Sequence, residues 1–98
     1  MKKKYDDFVE EFTKIYSQYE ADQNQNKLEK SLYALARKNK KYTVAIMAYV
    51  NYGDELIEKG QCDIGIRYLQ IAMEVFGAYA DEVTCFLRLA EYYIEKGD

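Results

Sequence analysis

The side chains in this chain that could do chemistry are adjacent carboxylates, the groups used in general acid–base catalysis. They occur as Asp6-Asp7, Glu10-Glu11 and Asp81-Glu82. Successive residues of an α-helix point about 100° apart, so the two carboxylates of each pair diverge instead of sharing one site. Negative charge is also favoured at helix starts. We therefore interpret these pairs as solvated surface or as helix starts.

Two cysteines, Cys62 and Cys85, are the other reactive candidates. They do not form a CxxC spacing, and the chain contains no histidine that could complete a zinc site. Cys62 lies at a predicted helix start, where a thiolate is favoured, but no basic residue adjoins it. We interpret both cysteines as reduced thiols, with a disulfide as the alternative.

Sequence motifs for catalysis are also missing. The chain has no Gly-rich phosphate loop, no G-x-S-x-G and no H-E-x-x-H. Without histidine, the commonest general base and metal ligand is absent. The sequence therefore predicts that the chain is not an enzyme and binds neither a metal nor a cofactor.

The charge balance bears on the class of partner. The formal net charge is −3 and the isoelectric point is near 5.0. Binding to nucleic acid needs a basic surface that neutralises phosphates, so the composition predicts no nucleic-acid binding. The only basic run is Arg37-Lys38 with Lys40-Lys41, near a helix end where cations are expected. Contact between this run and a nucleic acid or an acidic partner is the alternative.

The N-terminal letters MKKK resemble the basic part of a signal peptide. No apolar run of roughly 7 to 15 residues follows them, so they do not form one. No stretch approaches the roughly 18 apolar residues of a membrane span. We expect a cytoplasmic protein without membrane contact.

Five helical patterns follow one another, at about residues 5–19, 27–38, 42–59, 63–76 and 81–96. In the first, apolar residues recur every three or four positions, which places them on one face of a helix. Gly60 and Gly77 are expected to end the third and fourth helices, and Asp63 to cap the start of the fourth. No strand pattern competes, and proline is absent. The sequence predicts an all-α fold.

The chain repeats itself at an interval of 37 residues. Ile57-Glu58-Lys59-Gly60 returns as Ile94-Glu95-Lys96-Gly97. Repeats of about 34 to 47 residues built from two helices are typical of α-solenoids. We therefore predict an α–α superhelix with repeat 1 at about 5–41, repeat 2 at about 42–78 and a terminal helix at about 79–97. The shift aligns Tyr5 with Tyr42, Val9 with Ile46, Phe12 with Tyr49, Leu32 with Leu69, and Tyr49 with Phe86.

Bulky and small residues recur at set places between residues 46 and 77. Small residues let two helices approach closely, while bulky residues fill the remaining gaps. In this pattern the segment resembles a tetratricopeptide repeat, and the match is carried by Tyr49, Tyr52, Gly53, Leu56, Gly60, Gly65, Leu69, Ala72 and Gly77. The start of a further repeat matches at Phe86, Ala90, Tyr93 and Gly97.

The first helix pair departs from the tetratricopeptide pattern. Tyr16 and Leu28 stand where small residues are expected, and Gln23 replaces the turn glycine. The period of 37 also exceeds the usual length of about 34. A looser helical-repeat family, or a plain five-helix bundle in which the repeated IEKG is chance, is the alternative.

The resemblance implies a protein-interaction module, or scaffold, that binds a peptide in a concave groove lined by the first helix of each pair. By alignment, the groove positions of the first helix are Glu10, Thr13, Ser17 and Glu20. Those of the later helices are Met47, Val50, Asp54, Ile57, Glu58, Thr84, Leu87, Glu91, Ile94 and Glu95.

The chemistry of those positions predicts the kind of peptide. One branch of the family clamps a peptide's terminal carboxylate with lysines and asparagines, but Asp54 and Glu91 stand where such donors are needed. We therefore expect an apolar peptide with basic character, with Val50, Ile57 and Leu87 as anchors and the carboxylates steering it.

The last predicted helix carries apolar residues on more than one face, among them Phe86, Leu89 and Tyr92. A helical array normally closes with a helix whose outer face is polar. We expect the chain to be a piece of a longer array, or its open face to be covered by a second copy. Self-association through the C-terminal helix, as an assembly element, is thus the alternative function. Packing of Leu89 and Tyr92 within the chain would remove that expectation.

Overall fold

The structure, a computed structural model, describes residues 2–77 together with Ala90, Glu91 and Ile94, with side chains from residue 4 onward. Every regular element among these residues is helical, so the predicted all-α class is confirmed for this part of the chain. The elements are α1 (Lys2–Asp22), α2 (Gln25–Lys38), α3 (Thr43–Glu58), α4 (Cys62–Ile71) and a π-helical turn (Ala72–Phe76).

The connection between α1 and α2 is shorter than the polar run EADQNQN predicts, because α1 continues to Asp22. Gln23 then takes a left-handed backbone with φ of +54°. Asn24 caps α2, since its side-chain oxygen accepts a hydrogen bond from the Lys27 backbone N–H at 3.1 Å. Two residues therefore suffice to reverse the chain.

The turn after α3 uses the same geometry one repeat later. Gly60, 37 residues beyond Gln23, has φ of +90° and follows the end of α3, as predicted. The left-handed position is thus common to both helix pairs, although only the second supplies the glycine that suits it.

The start of α4 differs from the prediction. α4 begins at Cys62, and Gln61 is the capping residue without a side-chain hydrogen bond. Asp63 therefore lies inside the first turn, where its charge favours the helix N-terminus, instead of capping it. The helix then widens into the π-helical turn and ends at Gly77, whose φ is +54°.

The predicted terminal helix lies largely outside the described residues. Ala90, Glu91 and Ile94 are helical, and all three are exposed. Leu87 and Cys85 fall outside the described part of the chain. Within that part, no helix is both long enough and apolar enough to cross a membrane.

The tightest helix contact joins α3 to α4 and is made by two glycines. A Cβ atom added to Gly65 would lie 2.6 Å from the Gly53 backbone oxygen, and one added to Gly53 would lie 2.9 Å from the Gly65 oxygen. Real Cβ atoms do not approach that closely, so each glycine is required by the other helix. The predicted role of these small residues is confirmed.

The pairing of α1 with α2 is looser. These helices share a smaller contact than α3 and α4 do. Leu28 and Tyr16 occupy the positions that Gly65 and Gly53 take in the second pair. Leu28 lines a surface groove that remains between the two helices, whereas the Tyr16 ring packs against Tyr52 of α3.

Aromatic rings join the two pairs. Phe12 of α1 packs against Tyr49 and Tyr52 of α3 and against Tyr68 of α4, with ring centroids 5.1, 5.5 and 5.7 Å apart. Phe8 makes an edge contact with Tyr42 at 5.9 Å. Such tilted and edge-on pairs add stability beyond the burial of the rings. The core therefore joins these rings of α1, α3 and α4 to the buried face of α2, which carries Leu28, Leu32, Leu35 and Ala36.

Candidate functional site

A surface cleft between α1 and α3, with a volume of 420 Å³, is the first candidate site. We call it the α1/α3 cleft. Its floor is formed by half-buried aromatic rings and buried Leu56, and its rim by hydroxyl, amide and charged groups. The lining residues are Thr13, Tyr16, Ser17, Glu20, Tyr52, Leu56, Lys59 and Gln61.

The aromatic part of the α1/α3 cleft consists of Tyr16 and Tyr52. Their ring centroids lie 5.7 Å apart, and the ring planes meet at 78°. Tyr16 stands at the edge of the apolar stripe of α1, and Tyr52 at the edge of that of α3, so each ring is only half-buried. Tyr52 also packs against Phe12, with ring centroids 5.5 Å apart.

Burial and nearby carboxylates raise the pKa of both tyrosines of the cleft. Burial, followed by the charge of Glu20, raises the pKa of Tyr16 above its usual value. Burial, the Tyr16 hydroxyl, and the carboxylates of Glu20 and Glu55 raise the pKa of Tyr52. The cation of Lys59 forms an ion pair with Glu55 at 3.0 Å, which offsets part of its charge. The lining thus carries one carboxylate, Glu20, and one ammonium, Lys59.

Of the groove positions predicted on the first helix, Thr13, Ser17 and Glu20 line the α1/α3 cleft and Glu10 does not. The structure thus brings together three residues that the alignment selected. Their use in binding stays a prediction.

The positions predicted on α3 lie elsewhere. Met47, Asp54 and Glu58 are rotated about 120–160° around the helix from Tyr52, on the side turned away from the cleft. Met47 is 57% exposed. Val50 is only 6% exposed, so the expectation that it anchors a peptide needs correction: in this structure it is a core residue.

The other predicted positions that the structure describes do not line the cleft, and Thr84 and Glu95 lie outside the described residues. Ile57 is half-buried and packs beside Gly65 of α4. Glu91 and Ile94 are exposed on the helical C-terminal residues, and Leu87 is outside the described part.

The alignment missed Tyr52, Lys59 and Gln61 as cleft residues, and placed Tyr16 only in the core stripe. The signal that could have found the tyrosines is their place at the edge of each apolar stripe, where an amphipathic ring is half-exposed. Lys59 and Gln61 flank the turn glycine, and no spacing rule identifies them.

A second surface lies between α1 and α2, and we call it the α1/α2 groove. It has a volume of 380 Å³ and an apolar floor. Inter-helix ion pairs stand towards its two ends: Lys38 with Glu11 at 3.1 Å and Lys27 with Asp22 at 3.8 Å. The residues of the floor are Ile15, Tyr19, Leu28, Ala34 and Leu35. Leu28, at the position that Gly65 takes in the second pair, is part of this lining.

The described residues hold no cluster of acidic, cysteine and histidine side chains suited to a metal ion. Cys62 is half-buried, and its thiol donates weakly to the Ile57 carbonyl oxygen at 3.9 Å. A thiol engaged in this way, with no adjoining base, is typical of a structural cysteine.

The chain matches no protein-family model, no curated protein and no solved structure. The tetratricopeptide resemblance therefore rests on the residues alone.

Proposed function

We propose that the chain is a protein-interaction module whose α1/α3 cleft binds a peptide segment with a basic side chain beside apolar ones. The observation that carries this proposal is the pair of half-buried rings, Tyr16 and Tyr52, with the carboxylate of Glu20 beside them. Aromatic faces attract cations, and a neighbouring carboxylate strengthens that attraction.

The proposed architecture behind this function is a tetratricopeptide-like array. Two helix pairs are related by the 37-residue shift, and Gln23 and Gly60 share a left-handed backbone at the same place in each. The close contact of Gly53 with Gly65 supports the same interpretation. An open stack of helix pairs leaves a lengthwise surface along its first helices, which suits an extended peptide.

Selection from a random peptide library tests the proposal. We expect enrichment of sequences with a basic residue flanked by apolar residues. Enrichment of acidic sequences would contradict it. In the same assay, Glu20→Gln removes the cleft carboxylate and should weaken binding about fivefold, since such a pair contributes about 1 kcal/mol at a half-exposed site.

Glu10→Gln is the matched control for Glu20→Gln. Glu10 is an exposed carboxylate on the same helix and does not line the α1/α3 cleft. Both variants change the net charge equally, so an equal loss of binding would show that only the overall charge matters. Binding that depends on Glu20 alone would support recognition in the cleft.

A second candidate function is self-association as an assembly element. The observation that favours it is Ile94, a helical apolar residue that is 74% exposed. Light scattering at rising concentration distinguishes the two, because assembly requires the mass to increase. An increase that Ile94→Asp abolishes and Tyr5→Ser, at another exposed apolar position, leaves intact would favour assembly. A constant mass of one chain would exclude it.

A further inference from the structure

Two tyrosines of the core are equally buried but differ in their hydrogen bonds. Tyr49 and Tyr68 are both 0% exposed. The Tyr49 hydroxyl donates to the Leu32 carbonyl oxygen at 2.6 Å. The Tyr68 hydroxyl has no hydrogen-bond partner among the described residues. A buried hydroxyl without a partner lowers stability, so its presence in place of phenylalanine calls for a reason.

The ring of Tyr68 packs against a ring that lines the α1/α3 cleft. Its ring packs against Tyr52 with centroids 5.2 Å apart, and Tyr52 in turn contacts Tyr16. Burial, and after it the hydroxyls of Tyr52, Tyr49 and Tyr16, raise the pKa of Tyr68. Tyr52 and Tyr16 line the cleft, and Tyr68 therefore lies behind its wall.

Hydrogen-bond acceptors gather here, and Lys59, the cation of the lining, is paired with Glu55 at 3.0 Å. Three phenol oxygens can accept, and Glu20 adds a carboxylate at the rim. The ring planes of Tyr16 and Tyr52 meet at 78°. A planar cation with several N–H donors uses both features, because it can stack on a ring while donating in its own plane. A lysine ammonium is more strongly hydrated and has no plane to stack.

We propose that the α1/α3 cleft recognises an arginine side chain. The guanidinium lies against the rings of Tyr16 and Tyr52, its charge is paired with Glu20, and one N–H donates to the buried Tyr68 hydroxyl. This inference rests on the proposed function, because it names the side chain that the cleft takes. The half-buried Tyr52 ring moves aside to admit the group.

Four peptides that differ at one position test the inference. Each has the sequence Ala-Leu-Ala-X-Ala-Leu-Ala with blocked ends and an N-terminal fluorescent label, where X is arginine, lysine, citrulline or norleucine. Citrulline keeps the shape of arginine and loses the charge. By fluorescence anisotropy, we expect arginine to bind about fivefold more tightly than lysine and at least tenfold more tightly than citrulline or norleucine.

Tyr68→Phe tests the buried hydroxyl. We expect it to reduce the preference for arginine over lysine severalfold while the midpoint of urea unfolding stays the same or rises, because an unpartnered hydroxyl is removed. Tyr49→Phe is the matched control. It should lower the unfolding midpoint, because it removes the hydrogen bond to Leu32, and leave the arginine preference unchanged.

The outcomes separate the inference from the function it rests on. Equal binding of the lysine and arginine peptides, with weaker binding of the neutral ones, overturns the arginine assignment and keeps the proposed function. Equal binding of all four overturns the assignment and the charge preference together. Absence of binding by every peptide overturns both proposals. If Tyr68→Phe keeps the full preference for arginine over lysine, the proposed hydrogen bond from the guanidinium to the Tyr68 hydroxyl is wrong.

Discussion

At the scale of single residues, Gln23 holds a backbone conformation that glycine holds in the other repeat. Its φ is +54°, and its side-chain amide donates only long hydrogen bonds, of 3.4 Å, to the carbonyls of Tyr19 and Glu20. A side chain in the left-handed region is strained by roughly 1–2 kcal/mol, and glycine's greater freedom in the unfolded chain offsets part of that. The strain is therefore the larger effect.

We expect Gln23→Gly to raise the free energy of unfolding by about 0.5 kcal/mol, and Gly60→Gln to lower it by about 1 kcal/mol. Urea unfolding followed by circular dichroism measures both. Since the two positions are equivalent in the repeat, each variant serves as the control for the other. A loss of stability in Gln23→Gly would mean that the turn is not held as the structure shows.

The buried tyrosines predict how stability depends on pH. Burial raises the pKa of Tyr49 and Tyr68 above the ordinary value of 10.0, and the hydrogen bond to Glu74 raises that of Tyr33 to about 12. Above pH 10 the unfolded chain releases these protons and the folded chain keeps them. Stability is therefore complete below that pH and falls as the pH rises further.

Urea unfolding at a series of alkaline pH values, with tyrosinate absorbance as the second observable, checks this expectation. Tyr68→Phe removes one of the protons involved, so its stability should fall less steeply with pH than that of the wild type. Parallel curves for the two proteins would show that Tyr68 ionises equally in both states, against its burial.

At the scale of helices, the contact of α3 with α4 predicts whether Gly65→Ala raises or lowers the free energy of unfolding. Alanine favours a helix over glycine by about 1 kcal/mol. In Gly65→Ala, however, the new Cβ would meet the Gly53 backbone oxygen at 2.6 Å, and overpacking of this kind costs about 1–3 kcal/mol. Because the neighbour is backbone, we expect the upper end of that range and a net loss of about 2 kcal/mol.

Thermal and urea unfolding of Gly65→Ala measure the loss. Asn51→Ala, at an exposed position of α3, is the control and should change stability by less than about 0.5 kcal/mol. A Gly65→Ala variant more stable than the wild type would show that helix propensity dominates and that the helices are farther apart than described.

Much of the helix placement could be predicted from the spacing of apolar residues. Leu28, Leu32 and Leu35 mark α2, and Gly60 marks the end of α3, because local periodicity and backbone freedom decide both. The cap of α4 is Gln61, two positions before the predicted Asp63, since helix boundaries depend on competing local hydrogen bonds. The π-helical turn at Ala72–Phe76 has an ordinary helical pattern, and nothing in it indicates the extra residue per turn.

At the scale of the whole molecule, the sequence could not give the rotation of each helix about its axis. The tetratricopeptide alignment places Met47, Asp54 and Glu58 in a groove with the first helix, but α3 turns Tyr49 and Tyr52 towards Phe12 instead. The rotation of α3 is decided by the packing of rings that are far apart in the sequence.

The central claim, that this molecule binds peptides in the α1/α3 cleft, is tested most directly by mapping a bound peptide onto the chain. We would titrate the arginine peptide into isotope-labelled protein and record backbone and tyrosine-ring chemical shifts. We expect the largest chemical-shift changes at Tyr16, Ser17 and Tyr52, and we expect Glu20→Gln to reduce them. Changes confined to Met47 and Glu58, on the opposite side of α3, would contradict it, as would the absence of any change.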